Sequence, residues 1–146
     1  MTEYPTPHVA AQIEPGAILY SSWGYDQTNI DFYMVTRCTK ASAWIMPMTS
    51  RIAESAPGYS PMSEHVVAGD PIFFDRCECR HGINAHGPSG DTCHMYDCDC
   101  RELRPVAIKP AMHRIRREAY GEFLSLTSYS SASLWEGGKL YASHYA

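Results

Sequence analysis

The stretch from Arg76 to Arg101, RCECRHGINAHGPSGDTCHMYDCDCR, leaves this chain the fewest choices. It holds five of the six cysteines, Cys77, Cys79, Cys93, Cys98 and Cys100, with His81, His86 and His94 among them. Eight soft or borderline ligands therefore fall within 24 residues. The part between Arg80 and Cys93 is rich in Gly, Asn, His and Pro. Such a segment cannot order itself by burying apolar surface, so another interaction has to hold it. Zinc provides one: it takes four ligands in a tetrahedron, and thiolate and imidazole both suit it.

The two ends of the segment mirror each other, Cys77-Glu78-Cys79-Arg80 against Cys98-Asp99-Cys100-Arg101. In extended backbone, residues i and i+2 point to the same side. Two C-x-C segments lying side by side would then offer four sulfurs to one ion. The expected set is Cys77, Cys79, Cys98 and Cys100 around a structural zinc, with Cys93 or His81 able to replace one of them. The spacing departs from the common C-x₂₋₄-C pattern. A two-metal cluster would need nearly all eight ligands. Disulfides in an oxidising compartment, or free and redox-active thiols, are competing uses of the same cysteines. A catalytic zinc has no H-E-x-x-H or comparable triad with a positioned Glu to support it. Cys38 stands apart and reads as a small buried apolar residue.

The remainder of the chain reads as β-structure. Residues 1–15 are proline-rich and form a flexible or loosely packed arm in this reading. Residues 16–22 (GAILYSS) make a first strand. Residues 30–39 (IDFYMVTRCT) alternate with period two: Ile30, Phe32, Met34, Thr36 and Cys38 share one face, and Asp31, Tyr33, Val35 and Arg37 the other. Residues 43–49 form the next strand, where Pro47 favours an edge or a strand end. Residues 50–65 read as a loop, and Val66-Val67 and residues 71–75 as short strands. Residues 104–111 are extended, and two strands flank a turn at Tyr120-Gly121. The tail carries Trp135, Tyr141 and Tyr145 with little periodicity and is expected as an ordered loop. Hydrophobic content of 45% supports a real core in a single domain. The expected fold is mainly β: a small SH3-like antiparallel barrel or bent sheet over residues 16–146, with a metal-binding insertion at about 76–104.

Net charge is −4 and the pI about 5.9, which argues against a chain held to nucleic acid by bulk phosphate attraction. Lys109, Arg114, Arg116 and Arg117 make a mildly basic patch that reads as a solvated strand face. The N-terminus lacks the basic and then apolar run of a secretory signal, and no apolar run reaches membrane-spanning length. A reducing cytoplasm is the expected location. No phosphate loop and no G-x-S-x-G elbow occurs, so no catalytic residue is assigned. Asp26 and Asp31 could pair as carboxylates, but capping of a turn explains them more simply. Trp23, Tyr25, Gln27, Tyr33 and Trp135 remain as a candidate binding surface or a second packing cluster. Protein recognition tolerates their neutral to acidic surroundings, whereas a stacking platform for nucleic acid needs a positive groove.

Residues 16–35, and above all Trp23-Gly24-Tyr25-Asp26-Gln27-Thr28-Asn29-Ile30-Asp31-Phe32-Tyr33, resemble a largely uncharacterised group of small proteins of bacteriophages and other bacterial mobile elements. Residues 126–132 (LTSYSSA) with Trp135-Glu136-Gly137 resemble that group's other shared block. The likeness covers about residues 16–49 and 112–146, and the cysteine-rich segment lies outside it. It implies a phage-type accessory protein of a bacterial cytosol. The leading expectation for function is a binding protein that engages a host or phage macromolecule, as an inhibitor or modulator, without catalysis. A nucleic-acid-binding barrel is the alternative, and an enzyme of unknown class the second alternative.

Overall fold

In the computed structural model, residues 4–23, 28–55, 63–86, 92–96, 98–119, 121–127 and 130–143 are described. Ten strands follow one another: β1 (Ile18–Trp23), β2 (Asn29–Cys38), β3 (Ser42–Ser55), β4 (Ser63–Pro71), β5 (Phe74–Cys77), β6 (Pro105–Ala107), β7 (Ala111–Glu118), β8 (Gly121–Ser125), β9 (Ser131–Leu134) and β10 (Leu140–Ser143). One 3₁₀ turn, Ile83–His86, lies between β5 and β6, and no α-helix occurs among the described residues. The chain divides into two compact units, residues 72–109 and the remainder.

The larger unit is a closed antiparallel barrel of six strands. β1 pairs with β2, β2 with β3, β3 with β7, β7 with β8, β8 with β9, and β9 returns to β1. Closing the ring satisfies strand edges that would otherwise recruit foreign strands. Leu19, Val35, Ala43, Ile45, Ile115, Leu124 and Ala132 form one buried cluster, joined by Ile13 and Ala17. Ile13 comes from the stretch expected as a loose arm. Residues 4–15 are in fact tied down: His8 forms a parallel bridge with Ala17, and Tyr4 and Ala10 pack on buried clusters. Gly16 makes this close approach feasible. Its φ is +90°, and a Cβ there would lie 2.5 Å from the Thr6 carbonyl oxygen.

β3 is longer than the sequence implied. It pairs with β7 through Ser42–Ile45, then with β4 from Met48 to Ser55, and β4 pairs in turn with β10. The loop expected over residues 50–65 is therefore strand at both ends, and residues 56–62 lie outside the described residues. Pro47 stands inside β3 rather than at its end. It falls between the last pair with β7 (Ile45↔Ala111) and the first with β4 (Met48↔Pro71), where the strand changes neighbours on that flank.

A second buried cluster covers the opposite face of β1 to β3: Ile18, Phe32, Met34, Met46, Met48, Val66, Ala68, Trp135 and Ala142. These central strands are buried on both faces, which explains the near-continuous apolar runs in ILY and FYMV. The register of β2 shifts between Val35 and Arg37. This bulge adds one residue, so side chains beyond it change face. Cys38 consequently packs with Val35 and Ala43, not on the Phe32 and Met34 face that strict alternation gives. The turn between β7 and β8 lies where expected, with Glu118 opposite Gly121 and φ of +137° at Gly121. The tail supplies two strands, β9 and β10, instead of an ordered loop, and Tyr145 lies outside the described residues.

Candidate metal centre

The unit of residues 72–109 contains 38 residues. Below about 40 residues a hydrophobic core alone seldom suffices. Its buried side chains among the described residues confirm the problem: they are Cys77, Cys93 and His86, while Phe74, Met95 and Tyr96 lie exposed. β5 and β6 form a short antiparallel ribbon that carries Cys77 at its end, opposite Pro105. The chain then reverses. The Arg80 N–H donates to the Cys77 carbonyl at 2.9 Å, and the Cys77 N–H to the His81 carbonyl at 2.8 Å. Arg80 takes φ of +75° to make this turn. The 3₁₀ turn follows, with the Ala85 N–H donating to Gly82, and presents His86 inward at 0% exposure. The returning segment is held by His94 N–H to the Ala85 carbonyl at 2.7 Å and Cys93 N–H to the Cys100 carbonyl at 2.8 Å.

These turns bring seven of the eight candidate ligands into two groups of four. Cys77, Cys79, His86 and Cys100 form one; Cys79, His81, Cys93 and Cys98 form the other. Within each group the ligand atoms all lie within 4.8 Å of one another. Cys77 Sγ is 3.7 Å from Cys100 Sγ, Cys79 Sγ is 3.5 Å from His86 Nε2, and Cys93 Sγ is 3.5 Å from His81 Nδ1. A tetrahedral zinc with bonds of about 2.3 Å to sulfur and 2.0–2.1 Å to nitrogen sets its ligands about 3.8 Å apart for two sulfurs and about 3.6 Å for sulfur and nitrogen. The separations match those of a coordination shell, and a disulfide would need about 2.05 Å. All six cysteines are unpaired.

The expected four-sulfur set is divided between the groups. Cys77, Cys79 and Cys100 come together; Cys98 joins Cys93 and His81 instead, and Cys79 belongs to both. The cause is local backbone. The two C-x-C segments do not run side by side as strands: β5 pairs with β6, the chain turns at once after Cys77, and Cys98 closes a turn through its N–H to Met95 at 3.3 Å. Cys77 and Cys79 still share a group, whereas the i, i+2 pairing of extended chain fails for Cys98 and Cys100. His86 lay among the eight candidates but outside the expected set and its alternates. The equal intervals His81-x₄-His86 and Cys93-x₄-Cys98 were the available signal, since each brackets one turn. His94 stands in neither group.

The electrostatics single out Cys77. Burial opposes its ionisation, but the backbone N–H groups of Cys79 and Arg104 outweigh that, together with the thiols of Cys100 and Cys79, and the thiol is lowered to about 6. The Arg104 N–H lies 3.2 Å from its sulfur. At Cys100 a backbone hydrogen bond at Glu102 favours the thiolate, but burial and the neighbouring Cys77 and Cys79 prevail, raising it to about 11. Of this pair the first negative charge thus settles on Cys77, and a cation beside it would favour ionisation of Cys100 as well.

The candidate aromatic surface separates in the barrel unit. Trp135 is buried, edge-on to Phe32 with centroids 5.4 Å apart, and donates from Nε1 to the Gly138 carbonyl at 2.8 Å. Tyr33 is half-buried against the first cluster. Trp23 is 53% exposed and donates from Nε1 to Asp31 Oδ2 at 2.6 Å, which gives Asp31 a partner other than Asp26. Tyr25, Gln27 and Asp26 lie outside the described residues. An open cleft of about 330 Å³ on this unit is lined by Tyr20, Phe123, Leu134, Glu122, Ser133 and Glu136 among others. Glu122 there is ion-paired with Arg117 at 3.1 Å.

No protein-family model, curated protein or solved structure matches the chain.

Proposed function

We propose that this chain is a non-catalytic binding protein whose cysteine-rich unit is held in shape by structural zinc and contacts a partner protein. The observation that carries this reading is the inverted layout of residues 72–109. Potential ligands occupy the interior, and Phe73, Phe74, Met95, Tyr96 and Val106 are at the surface, Tyr96 at 93% exposure. Exposed aromatic and methionine side chains on a metal-held frame suit protein recognition, because such residues are rich in contact area. Zinc is the ion of choice for sets of three thiolates and one imidazole. Its binding free energy, about 10–16 kcal/mol in small structural sites, exceeds what so small a core can supply.

The resemblance of Trp23 to Tyr33 and of residues 126–137 to phage and mobile-element proteins supports a setting in a bacterial cytosol. Modulation of a host or phage macromolecule is the role that fits it. The charge of the unit favours protein over nucleic acid: residues 72–109 carry six acidic and five basic residues. Arg76 also pairs with Asp75 at 3.6 Å and Arg104 with Glu78 at 3.9 Å. The test is affinity capture from bacterial lysate with zinc-loaded wild type and a Tyr96→Ser variant, alongside titration with single- and double-stranded oligonucleotides. A protein retained by wild type and lost by the variant supports the reading. Equal capture by both, or salt-dependent oligonucleotide binding, overturns it.

A further inference from the structure

We propose that the cysteine-rich unit holds two zinc ions, not one, joined through the Cys79 thiolate. This rests on the zinc reading above and assigns its stoichiometry and bridging ligand. The first ion takes Cys77, Cys79, His86 and Cys100; the second takes Cys79, His81, Cys93 and Cys98. Each set is complete for a tetrahedral structural zinc of the Cys₃His type. Neither needs a water, and both need Cys79.

Two observations carry this. First, the second group is as well gathered as the first. Its members come from the turn after β5, the start of the returning segment and the turn before Cys100, yet their ligand atoms converge within 4.8 Å. A single S–H···N hydrogen bond would explain the 3.5 Å between Cys93 and His81, but it would not draw in Cys79 and Cys98 as well. Second, Cys93 is buried at 4% exposure, so the group is not an accident of crowded surface side chains. A thiolate keeps lone pairs for two metals, so Cys79 can serve both without leaving either tetrahedron.

The experiment uses the full chain, expressed without a histidine tag and loaded with zinc or with ¹¹³Cd. Native mass spectrometry should find about two zinc ions per chain. The ¹¹³Cd-loaded protein should give two cadmium resonances that split one another through the shared sulfur. Cys98→Ser should lower the count by one ion and retain the first site. Should that variant fold poorly, the cadmium coupling in the wild-type chain decides alone. One ion per chain overturns the two-metal site and leaves the single-zinc reading standing. No bound metal overturns both. Two uncoupled cadmium resonances overturn the bridge.

Discussion

Trp135 and Trp23 sit in chemically similar neighbourhoods of the sequence yet do opposite work. Trp135 fills the second buried cluster against Phe32, and its indole N–H is satisfied by the Gly138 carbonyl. Removing it leaves a large void, so Trp135→Ala should cost about 3–5 kcal/mol in urea unfolding followed by barrel signals. Trp23 keeps half its surface in water and one exposed hydrogen bond to Asp31. Trp23→Ala should cost only about 1 kcal/mol in the same measurement. His8 offers a pH-dependent contrast. Its hydrogen bond to Glu14 at 3.2 Å, and secondarily its contact with the Thr6 carbonyl, raise it above 6.5 against slight desolvation. A raised value means that the contribution is complete below pH 6.5 and fades as pH climbs through the folded-state midpoint. The NMR titration midpoint of His8 should therefore lie above 6.5 and fall in Glu14→Gln.

At the scale of elements, β2 and β3 carry the architecture. Each has two buried faces, and each departs from regular strand: β2 at one bulge, β3 at Pro47 and at two register shifts against β4. The bulge after Val35 packs the half-buried Cys38 against the first cluster while leaving Arg37 outside, stacked on the Trp44 ring at 3.8 Å. Deleting Thr36 would remove the extra residue and let Arg37↔Trp44 and Cys38↔Ala43 follow Val35↔Ile45 as a regular ladder, with every side chain on its present face. That deletion should leave cooperative unfolding by circular dichroism intact, at a cost of about 1 kcal/mol from the lost hydrogen bond of the Thr36 hydroxyl to the Trp44 carbonyl; loss of the cooperative transition would contradict it. β3 gains its second partner where Pro47 interrupts it, so a residue that ordinarily ends a strand here marks an exchange of neighbours. The sequence showed β2 clearly, because IDFYMV alternates strongly. It showed β9 and β10 poorly, because SASL and LYAS offer little apolar contrast and owe their pairing to strands far away in the chain.

For the whole molecule, the two units draw on different sources of stability. The barrel rests on two apolar clusters, and residues 72–109 bury potential metal ligands instead. Chelation with a strong zinc binder should therefore open residues 72–109 to proteolysis while the barrel stays protected. Two separate thermal transitions should appear in calorimetry, of which only one responds to added zinc. A single transition unaffected by chelation would contradict this division.

The chain by itself determined that the fold is β-rich and that residues 77–100 need something other than apolar burial. Alternation is local, and so is a density of thiols and imidazoles in a segment with no core. Tertiary structure decided what depends on distant partners: that β9 returns to β1 to close six strands, and that Ile13 leaves the N-terminal arm for the interior. It also decided how the ligands divide. C-x-C spacing offers two sulfurs to one side only where the backbone is extended, and the turn that Cys98 closes onto the Met95 carbonyl accompanies the division of Cys98 and Cys100 between different groups. Which thiolate two sites can share is a property of folded geometry, and here that geometry converges on Cys79.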